Sequence, residues 1–240
     1  MKRITILFSL LLTACVGSSN FTSIPQLKFD GMKGNISMVK ESKYDAKEKF
    51  GEIVPSDLDE VTVQEYNKDG RRVSFAVYDE DGKIIFKLED EYEKGHIVSE
   101  TTYQSYGDKK TVMKVVERKK NYVKWVEVGA DKELVREQIF DGYTCKQVVA
   151  GETVSIAYFD KKGRFVEEKS YHEGDITFRI LQEYDDKNNP IKTTEYRSYG
   201  DPVVQTFTYP EFDKKGNWIT QFVWEDGEVI NVVKREITYR

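Results

Sequence analysis

The segments FDKKGRFVEEKSYHEG (residues 159–174) and FDKKGNWITQFVWEDG (residues 212–227) align with each other without a gap. In both, an aromatic residue precedes an acidic turn that ends in glycine, an alternating run follows, and a second turn with glycine closes the unit. Glycine readily adopts the positive φ that tight hairpin turns need, and aspartate bonds to its own backbone there. The pair therefore predicts a duplicated β-hairpin, with Gly163 and Gly216 at the same turn position.

The same unit recurs along most of the chain. Its aromatic first residues are spaced 11 to 14 residues apart, which is the length of one strand and one turn. A second internal match joins residues 91–108 to residues 183–201 with an offset of one residue. Because short turns join antiparallel neighbours, the repeat predicts an antiparallel meander. The aromatic first residues are Tyr66, Tyr78, Tyr92, Tyr103, Tyr158, Tyr171, Tyr184, Tyr196 and Tyr209.

Between the turns, apolar and polar residues alternate with the period of two that is typical of a strand with one buried face. No amphipathic helix of useful length is visible after residue 14 to cover that face. We therefore expect an all-β fold, an antiparallel meander of repeated hairpins that forms a large twisted or curled sheet with few or no helices. The inner side is predicted to hold Phe178, Ile180, Trp218, Phe222 and Trp224.

One stretch is predicted to depart from the strand pattern. Between Tyr44 and Val54, lysine and glutamate residues crowd together. Helical or loop structure is the expectation for this stretch, since its charges obscure any period of two.

The first residues have the pattern of an export signal. Lys2 and Arg3 precede an apolar run that is too short to span a bilayer. The run ends in LTAC (residues 12–15), which resembles the lipobox of bacterial lipoproteins, with cleavage between Ala14 and Cys15 and lipidation of Cys15. Three regions follow from this interpretation: a signal peptide (1–14), a lipid-attachment site and flexible tether (15–32), and a repetitive β-sheet domain (33–240).

The cellular location and the partners can be predicted from the first residues and from the net charge of the chain. Val16 stands where enteric lipoproteins retained in the inner membrane have aspartate, so the outer membrane is the expected location. The net charge of −5 becomes −7 without the two cations of residues 1–14, and an acidic chain repels nucleic acid. The expected partners are the membrane, through the lipid, and a protein or glycan. Cys145 is left without a second cysteine and is expected to be buried.

At these repeats the chain resembles the YD-repeat (RHS-like) family, and specifically its small lipoproteins from Bacteroidetes. The resemblance covers most of residues 33–240 and is most evident at residues 34–53 and 212–218. It implies a fold built from hairpins, and it supplies no catalytic residue to carry over.

Residues with catalytic or metal-binding patterns are scarce. The two histidines, His96 and His172, lie at or beside predicted turns. The acidic clusters at residues 79–82 and 185–189 fit hairpin turns better than a calcium loop, since no glutamate follows at the loop spacing. The sequence therefore predicts no metal site, no cofactor and no enzymatic activity.

Three functions remain open at this point. The first is a non-enzymatic binding or structural module for a protein or glycan, supported by the many tyrosine and tryptophan side chains. The second is a carrier of lipid or lipoprotein, with a concavity lined by Trp125, Trp218, Phe222 and Trp224. The third and least favoured is an enzyme that uses two of the 42 acidic residues.

Overall fold

A computed structural model describes residues 26–105, 109–129 and 134–240. The described residues form one short helix, α1 (Gln26–Phe29), and sixteen β-strands. The strands are β1 (Ile36–Lys49), β2 (Glu52–Tyr66), β3 (Arg72–Asp79), β4 (Ile84–Glu93), β5 (His96–Gln104), β6 (Lys109–Lys119), β7 (Tyr122–Glu127), β8 (Val135–Asp141), β9 (Thr144–Val149), β10 (Glu152–Phe159), β11 (Phe165–His172), β12 (Asp175–Tyr184), β13 (Pro190–Arg197), β14 (Val203–Phe212), β15 (Trp218–Glu225) and β16 (Glu228–Tyr239).

Each strand pairs antiparallel with the next, and β1 also pairs with β16, so the sheet closes into a barrel. In that closing pair, Val39 lies opposite Ile237 and Asp45 lies opposite Asn231. The predicted all-β antiparallel meander is confirmed. The expectation of a large twisted or curled sheet needs correction, because the curl continues until the first and last strands meet. Closure pairs two edges that would otherwise present free N–H and C=O groups.

The turns explain how one sequence motif produces many equal hairpins. In the described part of the chain, five turns begin with an aspartate or asparagine whose Oδ1 accepts hydrogen bonds from the N–H groups two and four residues on. Gly163 (φ 82°) and Gly216 (φ 79°) occupy the same position in two of them, as predicted. These turns begin at Asn67, Asp79, Asp160, Asp185 and Asp213.

A second turn type joins strands through two residues of positive φ, the last of which is glycine, as type I′ turns require. His96 and His172 are exposed beside two such turns, where they were predicted. The turns of this kind in the described residues are Phe50-Gly51, Lys94-Gly95, Ala150-Gly151, Glu173-Gly174 and Asp226-Gly227.

The two ends of the barrel differ in what they carry. The terminal end holds the turns after the even-numbered strands, the segment before β1, and Arg240, whose N–H donates to the Asn35 carbonyl. The arm end holds the described turns after the odd-numbered strands, including the long β1–β2 hairpin.

The inner face is most tightly packed along β6–β12. Residues directly opposite each other point to the same side of a sheet, and Cys145 lies opposite both Phe140 and Ala157. Cys145 is 1% exposed, which confirms its predicted burial. The packed cluster comprises Met113, Val123, Trp125, Phe140, Cys145, Ala157, Phe159, Phe165 and Ile180.

The outer face carries ion pairs between neighbouring strands. Lys192 pairs with Glu183 and Lys40 with Glu236, both at 2.9 Å. On β14, the outward-pointing Val204 is 40% exposed, whereas its inward-pointing neighbours are half-buried. Ion pairs on one face of an antiparallel sheet are typical of a face that is in contact with water.

The stretch between Tyr44 and Val54 is strand and turn, not helix or loop as predicted. β1 continues to Lys49 and β2 begins at Glu52, and these two residues lie opposite each other. Lys49 lies opposite Glu52 across the hairpin, and Lys47 Nζ pairs with Asp57 Oδ2 at 3.3 Å, so both lysines have acidic neighbours without a helix.

Phe222 and Trp224 also depart from the prediction, because they lie on the outer face. Val223 packs inside with Trp218 and Val233, and successive residues of a strand point to opposite sides. Trp218 still points inward because the β14–β15 register shifts by one residue at Ile219. Such a bulge reverses the alternation after it.

Because Ile180 points inward and Phe222 points outward, we expect their alanine variants to differ in the free energy of unfolding. Ile180→Ala should lower the free energy of unfolding by about 2–5 kcal/mol, since the side chain is fully buried. Phe222→Ala should lower it by less, by about 1–2 kcal/mol, since the ring is only partly buried on the outer face. Urea unfolding of both variants measures the difference. A cost for Phe222→Ala equal to that for Ile180→Ala would contradict the outward placement.

Candidate functional site

The interior of the barrel contains a buried ion pair between β3 and β4. Arg72 Nη2 donates to Asp90 Oδ2 at 3.2 Å, and the two side chains are 5% and 3% exposed. Burial raises the pKa of Asp90 to about 6, although Arg72 opposes this shift. Burial lowers the pKa of Arg72, but the attraction of Asp90 outweighs it and leaves that pKa above its ordinary value. Both groups are therefore charged at neutral pH.

A second interior network links β5, β7 and β8. Arg136 Nη1 donates to Glu100 Oε1 at 2.9 Å, and its guanidinium carbon lies 4.6 Å from the centre of the Trp125 ring. Trp125 Nε1 in turn donates to Gln138 Oε1 at 3.0 Å. The network fixes the tryptophan by both its face and its N–H group.

Glu168 is a buried carboxyl group on β11. It is 4% exposed and lies opposite Ala157 and Ile180. Burial raises its pKa to about 7, and the Ser155 hydroxyl counteracts this only in part. A raised carboxyl pKa is typical of catalytic acids. Here the side chain is almost fully buried, so its ionisation acts first on the stability of the fold.

The four side chains predicted to line a lipid-binding concavity do not share one surface in the described part of the chain. Trp125 is bound in the Arg136 network, and Trp218 lies under Arg235, whose guanidinium carbon is 3.2 Å from the ring centre. Phe222 and Trp224 are on the other side of the sheet. The four residues predicted to line one concavity are therefore not brought together, and the inner face carries charges where an acyl chain would lie.

Residues 26–35 lie across the terminal end. Leu27 N donates to the Gly70 carbonyl at 3.1 Å, and Lys33 N donates to Asn217 Oδ1 at 2.8 Å. Leu27 is buried in a cluster with Ile36, Val39 and Tyr66. The segment thus connects the β2–β3 turn to the β14–β15 turn and fixes where the preceding chain leaves the barrel.

A small polar cleft lies beside this segment. It is formed between Asp30 and Lys33, the β12–β13 turn, Trp218 and Arg235. Arg235 Nε donates to Glu41 Oε1 at 2.8 Å, which holds the guanidinium in place. The space holds about one or two water molecules, so the cleft does not accommodate a larger ligand.

The arm end carries the most exposed feature of the fold. β1 pairs with β16 only as far as Asp45, and β2 pairs with β3 only from Glu60. Residues 46–59, hereafter the arm, extend beyond both neighbours and pair only within the hairpin. At its tip, Phe50 is fully exposed, with a relative exposure of 106%, and has a φ of 55°.

This backbone conformation is unfavourable for a large side chain. Positive φ at a residue other than glycine, asparagine or aspartate is a strained choice. The corresponding positions in the other two-residue turns hold Lys94, Ala150, Glu173 and Asp226. An aromatic ring at this position gains nothing from packing within the chain, which indicates a role outside the chain.

The predicted processing and metal sites have different outcomes. Ala14 and Cys15 lie outside the described residues, so cleavage and lipidation stay predictions. The acidic clusters at residues 79–82 and 185–189 form the capped turns described above. Within the parts of the chain that the structure describes, no three acidic, histidine or cysteine side chains form a group able to hold a metal ion. None of the described helices is long and apolar enough to cross a membrane.

Comparison with known proteins finds similarity among solved structures. Neither the protein families nor the curated proteins compared with the chain contain a match. Among solved structures, a porin-like protein from Bacteroides uniformis is similar to the chain, with a TM-score of 0.37 and 10% sequence identity. The similarity covers 85% of this chain and 98% of that one. The resemblance to YD-repeat lipoproteins stays a prediction.

Proposed function

We propose that this protein is a lipid-anchored lipoprotein of the outer membrane, and that its barrel is a non-enzymatic module that binds a protein or glycan outside the bilayer. The observation that carries the proposal is the difference between the two ends. The chain leaves the barrel at the terminal end, beside residues 26–35, whereas the arm with its exposed Phe50 projects from the opposite end.

The length of the tether supports this orientation. Eleven residue steps separate Cys15 from Gln26, and an extended chain spans at most about 3.5 Å per residue. The terminal end is therefore held within about 40 Å of the membrane, and the arm lies at the end of the barrel opposite the attachment.

The charges on the outer face support a barrel that lies in water and not in the bilayer. Mid-strand pairs such as Lys40–Glu236 and Arg179–Glu167 lie where a membrane-spanning barrel has an apolar band, and an arginine or lysine at the bilayer midplane costs about 2–4 kcal/mol. A lipid at Cys15 supplies the attachment that this surface does not, since acyl chains contribute about 0.8 kcal/mol per buried CH₂ group.

The anchor is tested by labelling cells with a palmitate analogue. We expect labelling of the unmodified chain and of Cys145→Ser, and complete loss in Cys15→Ser, whose precursor also stays uncleaved. Cys145→Ser is the matched control because it removes the buried thiol and leaves the predicted lipid site. Label retained in Cys15→Ser, or cleavage at another alanine, would exclude the lipoprotein assignment.

A further inference from the structure

We propose that one side of the barrel lies against the surface of the lipid bilayer to which the protein is anchored, and that an uncharged belt on its outer face, which includes Trp224, makes the contact. The inference rests on the proposed lipid anchor and specifies which side of the barrel faces the membrane. The belt lies on β14, β15, β16, β1 and β2 and comprises Thr208, Phe222, Trp224, Val232, Tyr44 and Leu58.

The side chains of the belt lie next to each other across the pairing of β1 with β16. Phe222 lies opposite Thr208 and Val232. Tyr44 lies opposite Val232 and Leu58. Directly opposite residues share one side of a sheet, and Phe222 lies on the outer side. Val232 is only 1% exposed there, since an aromatic residue lies opposite it on each neighbouring strand. The belt is therefore a continuous apolar surface.

Uncharged outer positions continue from the belt onto the next two strands. Val61 on β2 lies opposite Tyr78 on β3, and Tyr78 lies opposite Ile84 on β4, which is 40% exposed. On the other side of the barrel, the outer row that passes through β9 and β11 contains Lys146 and Lys169. The side of the belt is therefore the better suited of the two to contact with lipid.

The shape of the barrel favours lipid over a second copy of the chain. A stable protein interface buries about 800 Å² on each partner. The outer surface of a closed barrel is convex, so two copies that meet at their belts touch along a narrow line and bury less than this. A lipid surface is fluid and can follow a convex side.

The proposed anchor places a membrane within reach of the belt. Eight residue steps separate Ile36, at the terminal end, from Tyr44, which corresponds to about 27 Å of strand. The tether spans up to about 40 Å. The barrel can therefore lie on its side against the bilayer while the lipid at Cys15 stays inserted.

Trp224 has the chemistry of a residue at a membrane surface. Tryptophan and tyrosine rings favour the interface between membrane and water, where the apolar ring and its polar group find different surroundings. Trp224 Nε1 donates to Thr208 Oγ1 at 2.9 Å, so its polar group stays bonded when lipid replaces water around the ring. Ion pairs such as Arg179–Glu167 lie on other strands and remain in water, so the barrel lies on the bilayer and does not span it.

The experiment uses the lipidated protein, purified from cells and reconstituted in phosphatidylcholine vesicles whose acyl chains carry bromine, which quenches tryptophan fluorescence on contact. Of the three tryptophans, Trp125 and Trp218 are only 2% and 8% exposed and point into the barrel, so Trp224 is the one that meets bromine. Relative to vesicles without bromine, we expect the fluorescence to fall by up to one third, the share of one ring in three. Trp224→Phe should abolish this fall.

A charge within the belt tests the contact itself. A carboxylate against lipid is unfavourable, so Phe222→Glu should reduce the quenching about five-fold. Ile139→Glu is the matched control, since Ile139 is 39% exposed on the outer face of β8, and it should leave the quenching unchanged. Quenching retained in Phe222→Glu or lost in Ile139→Glu would overturn the inference. A dimer in detergent that Phe222→Glu dissociates would assign the belt to a second copy instead. Protein that floats with the vesicles but is not quenched contradicts this inference alone, whereas protein that does not float contradicts the anchor as well.

Discussion

Replacing Asp90 by alanine is expected to lower the free energy of unfolding by about 3–5 kcal/mol, because the substitution leaves the buried guanidinium of Arg72 without its carboxylate. The guanidinium cannot lose its proton at accessible pH, and it cannot reach water from a side chain that is 5% exposed. Urea unfolding at pH 7.5, where Asp90 is ionised, measures the effect.

The matched control removes both charges together. Arg72→Met combined with Asp90→Leu should restore most of the lost stability, since apolar residues of similar volume can replace a buried pair with little cost. A double variant as unstable as Asp90→Ala would mean that packing, and not the unpaired charge, dominates at this position.

Replacing Glu168 by glutamine is expected to raise the free energy of unfolding by up to about 3 kcal/mol at pH 8. The folded protein holds the pKa of this carboxyl at about 7, against 4.5 for the unfolded chain. Between these two values the folded state binds more protons than the unfolded state, so stability falls as the pH rises. Glutamine keeps the shape and removes the ionisation.

The pH profile separates this cause from better packing. The gain from Glu168→Gln should be absent below pH 4.5, grow between pH 4.5 and 7, and remain constant above. Glu167→Gln is the control, because Glu167 lies on the outer face and pairs with Arg179, so its loss should give no gain. A gain from Glu168→Gln that is equal at pH 4 and pH 8 would exclude ionisation as its cause.

The hairpins could be predicted because the residues that determine each turn are close together in the sequence. An aspartate four residues before the end of a turn, with glycine at the fourth position, specifies both the hydrogen bonds and the positive φ, as Asp160 and Gly163 show. Closure could not be predicted in this way. The pairing of Val39 with Ile237 joins residues almost a full chain apart, and no local pattern marks them as partners.

The faces of the strands were predictable only where the alternation is uninterrupted. Ile180 was placed correctly, whereas the register shift at Ile219 reversed Phe222. The burial of Glu168 was missed for a related reason. Glu167 and Glu168 are adjacent, and Glu167 points outward whereas Glu168 points inward. Gln138 was missed as well, because a polar side chain within an alternating run suggests the solvent side. The arm was missed because its charges were interpreted as a departure from strand.

Because β1 pairs with β16, the barrel closes only when all of its strands are present. In open repeat arrays, units can be gained or lost at an end because each contacts only its neighbours. Here the first strand keeps an unpaired edge until residues as late as Tyr239 have been synthesised. A shortened chain would retain two open edges, which are prone to aggregate. An extra hairpin would enlarge the circumference of the ring and alter the contacts across it, so the number of repeats and the packing of the interior are coupled.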